Sequence, residues 1–226
     1  MQEYTRRADL LTEEELRALA PRSQAVAYPT GTTVVCEGDD SDFVLYLRSG
    51  HLKVVAGQPR TIVRIYKPGE VAAEFAVLLG QLRTADLVTL NRVEALLVPG
   101  AVWVEFLYEF PQAACAMMRF FARMVVEKDH RQVESMTSSE HKIARGILDL
   151  IEVDLAVPTE DGLRISGFTQ SELGLLCGLS RESASAVLRQ LREHKVLSTG
   201  RGSMTIHDVE ALHRITERNA QPPLVD

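Results

Sequence analysis

The stretch TQSELGLLCGLSRESASAVLRQLREHKVL, residues 169–197, reads as two short helices around a tight turn. Thr169 and Glu172 stand three apart, the spacing at which a capping hydroxyl and a carboxylate exchange hydrogen bonds at a helix start. Leu173, Leu175 and Leu176 supply apolar bulk, and Gly178 is placed to stop the helix by turning left-handed. Ser180 can cap the next helix. There Ala184, Val187, Leu188 and Leu191 fall at i, i+3, i+4 and i+7, which makes one buried face. Arg181, Glu182, Ser183, Ser185, Arg189 and Arg192 point outward. This is a helix-turn-helix pattern, whose second helix enters a major groove about 12 Å wide with its N-terminal residues at base edges. Arg181 suits guanine O6 and N7, and Glu182 can accept from cytosine N4. Arg189, Arg192 and Lys195 lie further along and suit phosphates. Thr169, Gln170 and Ser180, at the two helix starts, complete the expected contact set on double-stranded DNA. Next, VLSTGRGSMTIH (196–207) reads as two strands around a Gly-Arg-Gly turn, a wing with Arg201 at its tip. The competing reading is an ordinary helical hairpin with solvated charges, and the wing argues against it.

Bulk charge gives no support for nucleic-acid binding, since the 226-residue chain carries a net charge of −6. The local balance differs: residues 181–201 hold five Lys/Arg against two acids. Cys36, Cys115 and Cys177 have neither metal-ligand nor redox spacing, and read as free, mostly packed thiols of a reducing compartment. No apolar run approaches a membrane span, so the expected location is cytoplasmic.

Upstream, TEEELRAL opens with Thr12 and Glu15 at capping-box spacing. From about Val26 to Pro99, short runs such as FVLYLRSG, HLKVVAG and TIVRIYKPG alternate with glycines at 31, 38, 50, 57, 69 and 80. That rhythm predicts an antiparallel barrel or roll. GAVWVEFLYEF then reads as a short helix, and Pro111 opens a long one over about 111–136. Met117, Phe121 and Met124, and next Lys128, recur at three and four; this stripe packs either on the chain's own roll or on a second copy, and the helix length favours the copy. Thr137 and Glu140 suggest another cap and a boundary near 136–138. EVDLAVPTEDGLRISG (152–167) reads as a loop, and QPPLVD as a loose tail. The domains expected are therefore 1–136 and 137–226.

FTQSELGLLCGLSRESASAVLRQLREHKVLSTGRGSMTIHD (168–208) resembles the DNA-binding region of the CRP/FNR family, and the resemblance runs upstream through the roll and the long helix. It implies an α+β chain: an N-terminal antiparallel β-roll, a jelly roll of the cyclic-nucleotide-binding kind; a dimerisation helix; and a C-terminal winged helix-turn-helix. It further implies a homodimeric transcription regulator that reads a palindromic site, with RNA polymerase as a partner. Family recognition helices often carry Arg-Glu and a second basic residue four positions after the Glu. Arg181 and Glu182 match, whereas Ala186 stands in the third place, so a different half-site is expected.

The family's phosphate-binding cassette resembles GEVAAEFAVLLGQLRTA (69–85). The expected effector is a cyclic nucleotide, cAMP or cGMP. Arg83 can pair with its phosphate, and a short helix starting near Ala73 can aim N–H groups at the same anion. Glu74 can accept from the ribose 2′-hydroxyl, and Thr84 can donate one further bond. The alternative is that Glu74 and Arg83 pair with each other in an empty pocket, with another effector or none. Ala73 replaces the usual glycine, and Glu127 and Lys128 replace the pair that contacts the base in the resemblance. Iron–sulfur sensing lacks its cysteine cluster, and haem would have only His51 in the roll. A metal-dependent enzyme on the roll would need clustered His and Glu ligands, so neither metal, haem nor enzymatic activity is expected. CEGDDSD (36–42) lacks the spacing of a calcium loop and reads as a solvated turn.

Overall fold

The computed structural model describes residues 10–134 and 137–218, with side chains at 10–127 and 137–217. The expected boundary residue Met136, the tail 221–226 and the side chain of Lys128 lie outside the described residues. The chain divides into two compact units, residues 1–56 with 65–128, and residues 57–64 with 129–226.

The N-terminal part begins with α1 (Glu13–Leu19) and continues through β1 (Gln24–Tyr28), β2 (Thr33–Val35), β3 (Phe43–Ser49), β4 (Leu52–Ala56), β5 (Thr61–Tyr66) and β6 (Val71–Ala72). Then come α2 (Glu74–Leu79), β7 (Asp86–Thr89), β8 (Val93–Pro99), α3 (Gly100–Glu109) and α4 (Pro111–Glu134). Two four-stranded sheets, ordered β1-β8-β3-β6 and β2-β7-β4-β5, make the expected roll. The glycines at 31, 38, 50, 57, 69 and 80 all have positive φ, which is why they could mark its turns. Leu45, Leu47, Leu52, Val71, Val98, Trp103 and Phe106 are fully buried in one core. Thr12 and Glu15 form the predicted capping box.

The long helix corrects one expectation. Met117 is buried, and Phe121 and Met124 pack on the roll's own core, so that stripe is not free for a second copy. A different row is open: Cys115, Met118, Ala122 and Val125, spaced three, four and three, are all exposed. Apolar residues at this spacing form a row of the kind that packs against a second helix. Cys115 and Cys36 are exposed thiols rather than packed ones.

The C-terminal part comprises α5 (Ser139–Glu152), β9 (Ala156–Thr159), β10 (Gly162–Ser166), α6 (Gln170–Leu176), α7 (Arg181–Glu193), β11 (Leu197–Gly200), β12 (Ser203–Ile206) and α8 (Val209–Arg218). The cap of α5 is Ser138, which accepts from the His141 N–H, and not Thr137. Residues 152–167 are not a loop. They hold the hairpin β9–β10, which joins the wing strands in a sheet ordered β11-β12-β10-β9. The wing is thus the outer hairpin of four strands, with Ile165, Met204 and Ile206 buried beneath it.

Candidate functional site

Residues 36–43 and 69–84 meet around one guanidinium. Arg83 is almost wholly buried, and its Nε donates to Ser41 Oγ at 3.0 Å. Its Nη1 donates to the Ala73 carbonyl at 2.6 Å and its Nη2 to the Phe43 carbonyl at 2.8 Å. The guanidinium carbon lies 4.8 Å from the centroid of the Phe43 ring. Burial pushes the pKa of Arg83 down, and the charges of Asp42, Asp39 and Glu74 pull it back up. The stretch 36–42 is the solvated turn expected, exposed at every residue but Ser41, and it also borders this guanidinium. Its backbone is tied in by bonds from Arg83 N to Asp39 O at 2.9 Å and from Gly38 N to Arg83 O at 2.8 Å. Asp42 lies against Gly100, where an added Cβ would fall 1.8 Å from its Oδ1 and the Asp42 side chain would have to move.

Glu74 opens α2 and has no exposed surface. Its Oε1 accepts from the hydroxyl of Tyr66 at 2.8 Å. Ala73 caps α2 in the left-handed conformation (φ 68°, ψ 15°), and no side chain caps that helix. This backbone is the one glycine adopts freely; holding alanine in it costs about 1 kcal/mol. Thr84 is exposed beside Arg83, and Glu127 is half-buried on α4. Ser41, Phe43 and Tyr66 were not singled out from sequence, since each comes from a strand or turn remote from the cassette.

In the second unit, Thr169 and Glu172 form the predicted capping box, and Ser180 accepts from the Ser183 N–H at 3.1 Å. Gly178 takes φ +63° just past the cap of α6, as the turn requires. Small residues bring the helices together: a Cβ on Gly174 would come 3.4 Å from the Ala184 Cβ, and one on Gly146 would meet Cys177 Sγ at 2.5 Å. Ala184, Val187, Leu188 and Leu191 are buried as predicted. Arg181, Glu182, Ala186, Arg189 and Gln190 are exposed, and Ser183 and Ser185 are half-buried. The Ser180 and Ser183 hydroxyls lie 3.1 Å apart and bond each other. Thr169 is exposed, Gln170 is half-buried, and Arg201 is exposed in the turn between β11 and β12. Arg192 is exposed, and its Nη1 donates to Thr199 Oγ1 on the wing at 2.9 Å, which uses one of its five N–H donors.

Residues 25–109 match the family model of the cyclic nucleotide-binding domain, and residues 141–215 match that of the Crp-like helix-turn-helix domain. The chain belongs to the CRP/FNR family of transcription regulators. The Cyclic AMP receptor protein of Thermus thermophilus is 25% identical over 210 residues, covering 91% of this chain and 94% of that protein. A CRP-like cAMP-activated global transcriptional regulator of Mycobacterium tuberculosis is 25% identical over 206 residues, 88% and 91% of the two chains. Among solved structures, a CRP/FNR-family regulator of Thermus thermophilus superposes with a TM-score of 0.74 at 20% identity, covering 87% of this chain and all of that one. The c-di-GMP-responsive regulator CLP of Xanthomonas campestris gives a TM-score of 0.75 at 19% identity, covering 87% and 99%.

As a CRP/FNR regulator the chain carries a DNA-binding helix-turn-helix in α6 and α7. Its departures from the family pattern now have positions. Ala73 keeps the backbone expected of the family's glycine and adds a methyl group to it. Ala186 lies on the exposed face of α7, where it offers a base only an apolar contact. Among the described residues no group of three or more His, Cys, Asp or Glu could hold a metal, and no helix is long and apolar enough to cross a membrane. His51 is buried in the roll, with its Nδ1 3.1 Å from Asn91 Nδ2.

Proposed function

We propose that this regulator works as a homodimer on palindromic double-stranded DNA and is controlled by a cyclic nucleotide, cAMP or cGMP, held at Glu74 and Arg83. The observation that carries the effector reading is the burial of both charged groups within one short cassette, Glu74 at 0% and Arg83 at 4% exposure. Burying ions is expensive. A site that presents a fixed cation to a phosphate and a fixed carboxylate to a ribose hydroxyl gives that expense a use. The first turn of α2, capped by no side chain, adds N–H groups on the phosphate side. Thr84 is a further donor. Glu127 and Lys128 are assigned to the base.

The exposed row Cys115, Met118, Ala122 and Val125 supports the homodimer. Two recognition helices related by a twofold axis must stand about 34 Å apart to read successive major grooves. Effector and DNA then raise each other's affinity by the same factor. RNA polymerase is the partner that the family resemblance implies.

A gel-shift titration with cAMP and with cGMP tests the effector, and tighter DNA binding with one of them is the expected result. Unchanged DNA affinity removes the cyclic nucleotide and leaves the regulator. The same regulator answering to another effector, or to none, is favoured by one observation: Ser41, Ala73 and Phe43 already satisfy Arg83 within the protein. For the dimer, Met118→Glu should halve the sedimenting mass, and a wild-type chain that already sediments as a monomer would remove the dimer.

A further inference from the structure

We propose that Tyr66 is a positioning residue that sets the ribose selectivity of the effector site, an inference that rests on the cyclic-nucleotide reading above. Glutamate is poorly suited to aim a lone pair by itself, because the last torsion of its side chain is broad and roughly twofold. Here one oxygen is fixed. The Tyr66 hydroxyl donates to Glu74 Oε1 at 2.8 Å, and both side chains are buried. A carboxylate with Oε1 anchored has its plane set, so the direction offered to a ligand hydroxyl is chosen before the ligand arrives.

The tyrosine is itself held. It ends β5. Its ring stacks on Phe120 of α4, with centroids 6.4 Å apart and planes 25° apart. Phe120 is buried in the same core as Tyr66. The ring therefore fixes the hydroxyl, and the hydroxyl fixes the carboxylate. Tyr66 touches no part of the effector in this scheme; its influence passes wholly through Glu74.

Tyr66→Phe keeps the ring and its stacking and removes the donor. Calorimetric titration of the full-length protein with cAMP and with 2′-deoxy-cAMP reads the consequence. The variant should lose about tenfold in cAMP affinity, the scale of one hydrogen bond to a charged group. Its affinity for 2′-deoxy-cAMP, which has no hydroxyl to offer Glu74, should stay unchanged. In a Glu74→Gln background the same Tyr66→Phe change should no longer alter the preference for ribose over deoxyribose. Equal losses for both nucleotides, or a selectivity change that persists beside Glu74→Gln, would overturn the role of Tyr66 while the effector reading stood. Wild-type protein that binds neither cAMP nor cGMP would overturn the effector reading, and the role of Tyr66 with it.

Discussion

Arg83 in the roll and Arg181 at the head of α7 sit in opposite surroundings. Arg83 is buried and held by three protein acceptors and an aromatic ring. Arg181 is exposed, on a face whose neighbours are small. The first has met its ordering cost during folding, with a donor on each of its three nitrogens already taken by a protein acceptor. The second keeps its rotamer freedom, which contact with a base would take away. Under the proposed function, selectivity in the roll would be built into the fold, whereas on α7 it would come from the pairing of donor and acceptor at the moment of contact.

The contrast is open to attack from both sides. Arg83→Met should have the largest effect, lowering the stability of the N-terminal unit by about 3 kcal/mol, because three oxygens lose their donor and Glu74 and Asp42 lose a countercharge. Urea unfolding followed by Trp103 fluorescence measures it, and a loss near zero would mean that the cradle is not preorganised. Arg181→Ala should leave stability unchanged and cost roughly 1–3 kcal/mol of specific binding, with relaxed preference at one base pair. Competition between half-site variants measures that, and a retained preference would refute the assignment. Ser180→Ala removes the cap of α7 and should cost about 1 kcal/mol of stability in the C-terminal unit, read from its thermal unfolding. Ala73→Gly should shift stability by less than about 1 kcal/mol in either direction, since relief of the left-handed alanine is offset by added freedom in the unfolded chain. It should nonetheless tighten cyclic-nucleotide binding by removing the methyl group beside α2, and weaker binding would show that the methyl is part of the contact.

The DNA-reading unit was the more legible half. Its signals are local: a capping hydroxyl three residues from its glutamate, a glycine past a helix end, and an apolar period of three and four. Each is decided within a few residues of chain, and the Thr169, Gly178 and Ser180 expectations match the structure. The hairpin at 156–166 escaped because Pro158 and a polar Glu160-Asp161-Gly162 turn hid two very short strands. In the roll, the short helix starting beside Ala73 was legible and the cradle was not. Ser41 is 42 residues from the guanidinium it holds, and no periodicity links the two. The stripe on α4 misled for a related reason: Met117, Phe121 and Met124 have helical spacing, but spacing alone does not say which apolar surface they cover.

The bond from Arg192 to Thr199 fastens α7 to the strand that carries the wing. Together with the pairing of β11 and β12, it makes the base reader and Arg201 parts of one stiff block. With α7 and Arg201 on DNA as proposed, such a block would span a fixed length of duplex. One base pair inserted between the bases under α7 and the backbone under the wing would shift the second contact out of reach. Tolerance for altered site length should therefore lie between half-sites, and not within one.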